Sequence, residues 1–231
     1  MRMIFLLFTA YWLVSASVYA APEGAAKSDA DAKTATAKDA GATSAAAKGS
    51  ENPGPIETVD EAVKKILKIL SSPEYKDTVK RKAYQEEIRK ILIENSDVKT
   101  LSELSLANYR SKFSDEQFEK FMDQFSRLLF ATYISHFNKY TDEKIVILGA
   151  VKSAEDKAVV STKLISSSGD TPIEYSMARH GKKWLLFDVR VEGVSLVLNY
   201  RSQFREIMLN STPDKLIQRL AEKVKKNEEN L

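Results

Sequence analysis

The chain has 231 residues, 43% of them apolar, 29% charged and 9% aromatic, which is the composition of a globular protein. It contains no cysteine, which excludes disulfides, thiolate metal sites and thiol catalysis, and only two histidines, His136 and His180, too few for a multi-histidine metal centre. Thirty-five basic residues against 32 acidic ones give a formal charge of +3, too balanced for the concentrated basic face of a nucleic-acid binder.

Residues 1–20 have the layout of a cleaved signal peptide. Arg2 supplies the positive start, Ile4 to Val14 is almost wholly apolar, and Val18-Tyr19-Ala20 meets the small-residue cleavage rule. The apolar run is about half of the roughly 20 residues a membrane span requires. Export of the mature chain is therefore expected, and no cysteine follows the cleavage point to carry a lipid anchor. Residues 21–55 hold 12 alanines and no Val, Ile, Leu, Met, Phe, Tyr or Trp. Such a segment buries too little apolar surface to offset its ordering entropy, so a flexible alanine-rich leader is expected, either a tether or a tolerated extension.

The domain proper is expected over 56–231. Thr58 with Glu61 reads as a capping box, followed by apolar residues at helical spacing to Leu70. Ser72-Pro73 starts a second helix, read as continuous to about Glu94, and a shorter one covers about 98–110. Ser114 with Gln117 caps a long helix whose stripe is wide and mostly aromatic: Phe118, Phe121, Met122, Phe125, Leu128, Leu129, Tyr133, Phe137 and Tyr140. The period then changes to two. Four strands are predicted at 144–150, 158–166, 173–180 and 182–191, with turns at Gly169-Asp170 and His180-Gly181. Short connections make the sheet antiparallel, and the aromatic helix is the natural cover for one face. A helix from Val194 to about Asn210 and another after Thr212-Pro213 close the chain. The fold class is α+β, helices wrapped on a four-stranded antiparallel sheet.

No phosphate-cradling glycine loop, nucleophile elbow or His-Glu-x-x-His is present. His136 is far in sequence from Asp188 and Ser195, and a triad drawn from three such common residues carries no geometric information. Asp188 interrupts an apolar strand and, if buried, must accept hydrogen bonds, which points to a structural tie. No catalysis, cofactor or metal is expected. The aromatic stripe has two readings, ordinary core or the wall of an apolar cavity, and periodicity does not separate them.

The segment Lys183-Trp184-Leu185-Leu186-Phe187-Asp188-Val189-Arg190-Val191-Glu192-Gly193-Val194-Ser195-Leu196 resembles the signature of the MlaC family, the toluene-tolerance auxiliary proteins of ABC transporters. Asn199-Tyr200-Arg201-Ser202-Gln203-Phe204 and Leu216, Ile217 and Leu220 extend the resemblance, as do Tyr109, Gln117, Phe121, Phe125 and Tyr133 upstream. Ala107 stands where the family usually has glycine, and Arg110 near a common tryptophan. The resemblance implies a periplasmic phospholipid carrier concerned with outer-membrane lipid asymmetry. Its partners would be an inner-membrane ABC transporter complex with an MCE-domain protein and an outer-membrane lipoprotein complex. A carrier of another lipid such as a hopanoid, or a lipid-modifying enzyme using the same cavity, are the alternatives. The expected lipid-binding residues are Phe121, Phe125, Leu129 and Tyr133 from the helix, facing Val146, Leu164, Tyr175, Val189 and Val191 from the strands, with Val194 at the mouth. Gly193 is expected to take a conformation a β-carbon disfavours, and Ser195 to cap the helix that follows.

Overall fold

A computed structural model describes residues 52–229. The expected signal peptide and most of the alanine-rich leader lie outside the described residues.

Helix α1 (Pro55–Leu70) begins three residues before the predicted cap, with Gly54 at the N-cap and proline in the first turn. Thr58 lies inside the helix, where its hydroxyl donates to the Gly54 carbonyl, so the Thr58/Glu61 capping box is corrected. Proline already has the helical φ and needs no capping hydroxyl before it. The helix expected from Ser72 to Glu94 is two helices. Ser72 caps α2 (Pro73–Lys76), and Asp77, in extended conformation with ψ 117°, stops it and caps α3 (Thr78–Glu94). Asp97 caps α4 (Val98–Leu106), which passes into a 3-10 turn, Ala107–Lys112. The Ser114/Gln117 capping box is present in full and opens α5 (Asp115–Phe137).

Five strands follow: β1 (Lys144–Ala154), β2 (Lys157–Ser166), β3 (Gly169–His180), β4 (Lys183–Val191) and β5 (Val194–Ser195). They form one antiparallel sheet in sequence order. The predicted count of four omits β5, which is only two residues long. It exists because Glu192 (φ 52°) and Gly193 (φ 82°) make a two-residue turn with both φ positive, the geometry whose twist matches paired strands. Val191 therefore pairs with Val194 before the chain enters α6 (Leu196–Leu209). Thr212 then caps α7 (Pro213–Glu228).

The helices that rest on the sheet are α1, on β1 and β2, and α4 and α6, on β4. The long aromatic helix α5 packs on α7, α4 and α3 and meets α6 through Phe121, Phe125, Tyr200 and Phe204. The α3–α4 junction is stitched to β4: Asp97 N–H donates to Leu186 O at 2.7 Å, and Leu186 N–H donates to Asn95 O at 2.9 Å. Core clusters form between α1 and the sheet, around Val59, Val160, Met177 and Trp184, and among α1, α2 and α3, around Ile69, Leu70, Tyr75 and Ile88.

Candidate functional site

Strand register decides which side chains share a face, because partners directly opposite point the same way. One row across the sheet is Ile147, Thr162, Ile173, Val191 and Val194. The next row is Ala150, Val160, Tyr175 and Val189, and on the other side lies Ile145, Leu164 and Thr171. Leu164, Tyr175, Val189, Val191 and Val194 thus lie on one face together. Val146 does not: it pairs with Lys163 on the opposite face and is 42% exposed. The expectation for Val146 is corrected, and Ile145 and Ile147 take its place.

This face is covered unevenly. At one end Val59 of α1 packs on Ala158, Val160, Met177 and Trp184, all buried. Toward the other end Ile145, Leu164, Ile173 and Val191 are only half-buried, and Val194 is 46% exposed. Thr162, itself buried, turns its hydroxyl into the sheet, donating to Ile173 O at 3.1 Å, so the row stays apolar toward the helices. Burial raises the Tyr175 phenol above its usual range, with Thr162 partly opposing. A stretch of apolar sheet surface is therefore left without a full complement of packing partners.

The helix residues divide. Phe121 and Phe125 have no exposed surface and sit in an aromatic cluster between α5 and α6. Phe121 meets Phe113, Phe118 and Phe204 at 5.6, 6.4 and 5.4 Å between centroids. Phe125 meets Tyr200 and Phe204 at 4.9 and 5.1 Å. Phe130 and Phe137 turn to the cluster of α1 and α3. Leu129 and Tyr133, further along α5, are partly buried. Burial pushes the Tyr133 phenol up to about 12, so it stays neutral at any physiological pH. The stripe that looks single in sequence thus serves several neighbours.

Two clefts open on the helical side, and no strand residue lines either. One of about 710 Å³ lies among α3, α5 and α7, lined by Arg81, Lys82, Gln85, Arg89, Asp123, Arg127 and Glu228 among others. The other, about 400 Å³, lies between α5 and α7.

The polar residues singled out in the sequence have structural partners. Asp188, 7% exposed, accepts the Ser195 hydroxyl at 2.6 Å and the Val197 amide at 3.0 Å. His136 is not among their hydrogen-bond partners; its ring neighbour is Tyr133 at 6.4 Å. Burial, then Lys139, lowers its basicity. His180 Nε2 stands 2.8 Å from Asp97 Oδ2, a buried oxygen with no aligned hydrogen-bond donor. Sequence reasoning missed that pair, since 83 residues separate the two and neither lies in a motif. Ala107, noted for standing where glycine is usual, takes φ 48° and ψ −126°. Among the described residues no group of three or more acidic or histidine side chains is placed to hold a metal ion.

Three comparisons bear on this geometry. The family model described as MlaC protein matches residues 60–222. The toluene tolerance protein ttg2D of Pseudomonas putida is 25% identical over 134 residues, 57% of this chain, and the chain spans 62% of that relative's length. The solved structure of a phospholipid-binding protein from Ralstonia solanacearum, in complex with a phospholipid, superposes with a TM-score of 0.67 at 20% identity. That likeness of fold covers 74% of this chain and 97% of the other.

Proposed function

The chain belongs to the MlaC family, and we propose that it is a periplasmic carrier that binds phospholipid acyl chains against the apolar face of its sheet. In this reading it exchanges lipid between an outer-membrane lipoprotein complex and an inner-membrane ABC transporter complex with an MCE-domain protein. One observation carries the reading: the rows from Ile145 to Val194 are apolar and aligned on one face, yet only half-covered by helices. A soluble fold normally buries such a surface, and an apolar ligand would complete it. In this reading Leu164, Tyr175, Val189 and Val191 form one wall, Leu129 and Tyr133 contribute from α5, and Val194 marks the mouth. Phe121 and Phe125 stiffen the helical layer behind the chains.

The energetics favour a carrier. An acyl chain exposed to water costs about 0.8 kcal/mol per CH₂, so one of about 16 carbons costs roughly 12 kcal/mol. A protein surface as apolar as the bilayer removes most of that barrier without binding so tightly that release fails. Head groups remain at the mouth in water and need little recognition. No reaction is assigned: Asp188 and Ser195 are spent on each other and on the start of α6.

The test is native mass spectrometry of purified protein with lipid extraction from the same sample. A stoichiometric diacyl phospholipid is expected. A protein that retains no lipid, or one that retains a hopanoid instead, overturns the reading. Turnover of bound lipid into a product would overturn the non-catalytic part of it.

A further inference from the structure

The corner where α2 meets α3 has an unusual surface. Lys76, Lys80, Arg81 and Lys82 fall within seven residues, against one carboxylate, Asp77. Asp77 is committed to capping α3, accepting the Val79 amide at 2.9 Å. Among these cations Val79 projects with 87% of its surface exposed.

Helix stability does not account for this arrangement. Positive charge near a helix N-terminus opposes the helix dipole. Helices α1, α2, α5 and α7 place an acid in their first turn; α3, like α4 and α6, has none there, and it carries Lys80, Arg81 and Lys82 at its start. The corner is also held firmly. Arg81 donates to Tyr75 O at 3.1 Å and to Lys76 O at 3.2 Å, and the Tyr75 hydroxyl donates to Asn138 Oδ1 at 2.8 Å on the far end of α5.

The 710 Å³ cleft runs on from this corner along α3. Two of its carboxylates are already engaged, Glu86 with Arg89 at 3.2 Å and Glu228 with Arg127 at 3.0 Å. Lys76, Lys80 and Lys82 have no carboxylate partner among the described residues. The positive charge at the corner is therefore unspent and faces water.

We propose that the α2–α3 corner is a docking surface for an anionic phospholipid bilayer, with the cations on lipid phosphates and Val79 inserted at the level of the head groups. Clustered cations around a protruding apolar side chain match both layers of such a surface, charged outside and apolar beneath. An acidic protein would match the charges and leave the valine unexplained. The contact is exposed, so it weakens with salt, and it does not depend on the lipid-carrier reading.

Flotation of the purified protein with vesicles tests it. Vesicles of phosphatidylcholine alone are compared with equal parts phosphatidylcholine and phosphatidylglycerol, at low salt and at about 0.5 M salt. The protein should float with the anionic vesicles only, and high salt should release it. Lys80→Glu with Lys82→Glu should lower the bound fraction at least about tenfold. Val79→Ser should lower it several-fold with charge unchanged. Circular dichroism verifies the fold of each variant, and its copurified lipid, which should match the parent, separates this proposal from the carrier reading. Absence of flotation with anionic vesicles, equal flotation with neutral ones, or a double variant that floats like the parent each overturns the proposal. A surface that serves an acidic protein instead would give the first of these outcomes.

Discussion

Ser195 donates its hydroxyl to Asp188 at 2.6 Å, and the same oxygen accepts the Leu198 amide at 3.0 Å. The second oxygen of Asp188 takes the Val197 amide. One strand carboxylate thus satisfies two donors at the start of α6, directly and through the serine, at a point where the helix would otherwise leave buried amides unpaired. The favourable end of the helix dipole faces the acid. Replacing Asp188 with alanine strands the Ser195 hydroxyl and the Val197 amide, and the expected cost is about 2–4 kcal/mol in urea unfolding. Ser195→Ala removes one relay and leaves Asp188 its backbone donor, so a loss of about 1 kcal/mol is expected.

Ala107 predicts a gain in stability. Its φ of 48° and ψ of −126° lie where a β-carbon collides with the backbone. Glycine relieves that cost and adds a smaller entropic one. Ala107→Gly should raise stability by about 0.5–1 kcal/mol, read as a higher urea midpoint with an unchanged slope. A lower midpoint would show that the methyl group contributes packing that outweighs the strain.

His136 predicts a pH effect. Burial and Lys139 hold its folded-state basicity below the usual histidine value, so the folded protein prefers the neutral ring. Its contribution is present above the unfolded pKa, near 6.5, and is lost as pH falls toward the lowered folded value. His136→Gln should therefore lose less stability than the parent between about pH 7 and pH 5. Unfolding curves of the two proteins at both pH values check it, and parallel losses would refute the assignment.

How much of this was legible in sequence depended on whether a local signal had a competitor. Ser114 with Gln117 and Gly193 with Ser195 were readable because cap and turn chemistry act within a few residues. Thr58 and Glu61 carried the same signal and lost to Pro55, three residues earlier. The face of β1 was not readable. Ile145, Val146, Ile147 and Leu148 are all apolar, so alternation gives no parity, and a bulge between Ile147 and Gly149 shifts the register further. The aromatic stripe of α5 showed that much of that helix is buried, not which neighbour each ring meets. Phe121 and Phe125 face α6, and Phe130 and Phe137 join the α1–α3 cluster, through contacts between distant parts of the chain, 83 residues apart for Phe121 and Phe204, that no periodicity encodes.

Val194 and Val146 supply a matched pair for the carrier reading. Both are valines in the same sheet, with 46% and 42% of their surface exposed, on opposite faces. Each is exposed enough to accept glutamate without burying a charge in the core, so both variants should fold, as circular dichroism would verify. They should differ in lipid. Val194→Glu puts a carboxylate beside Val191 on the apolar rows, where an acyl chain would have to lie against it. Desolvating that charge is costly, and bound lipid should fall about tenfold or more. Val146→Glu puts the same charge beside Lys163 on the other face and should leave lipid content unchanged. Phosphate assay and mass spectrometry on the folded proteins measure both. If Val194→Glu keeps its lipid, or if the two variants lose it equally, the chains do not lie on the face defined by Leu164, Tyr175, Val189 and Val191.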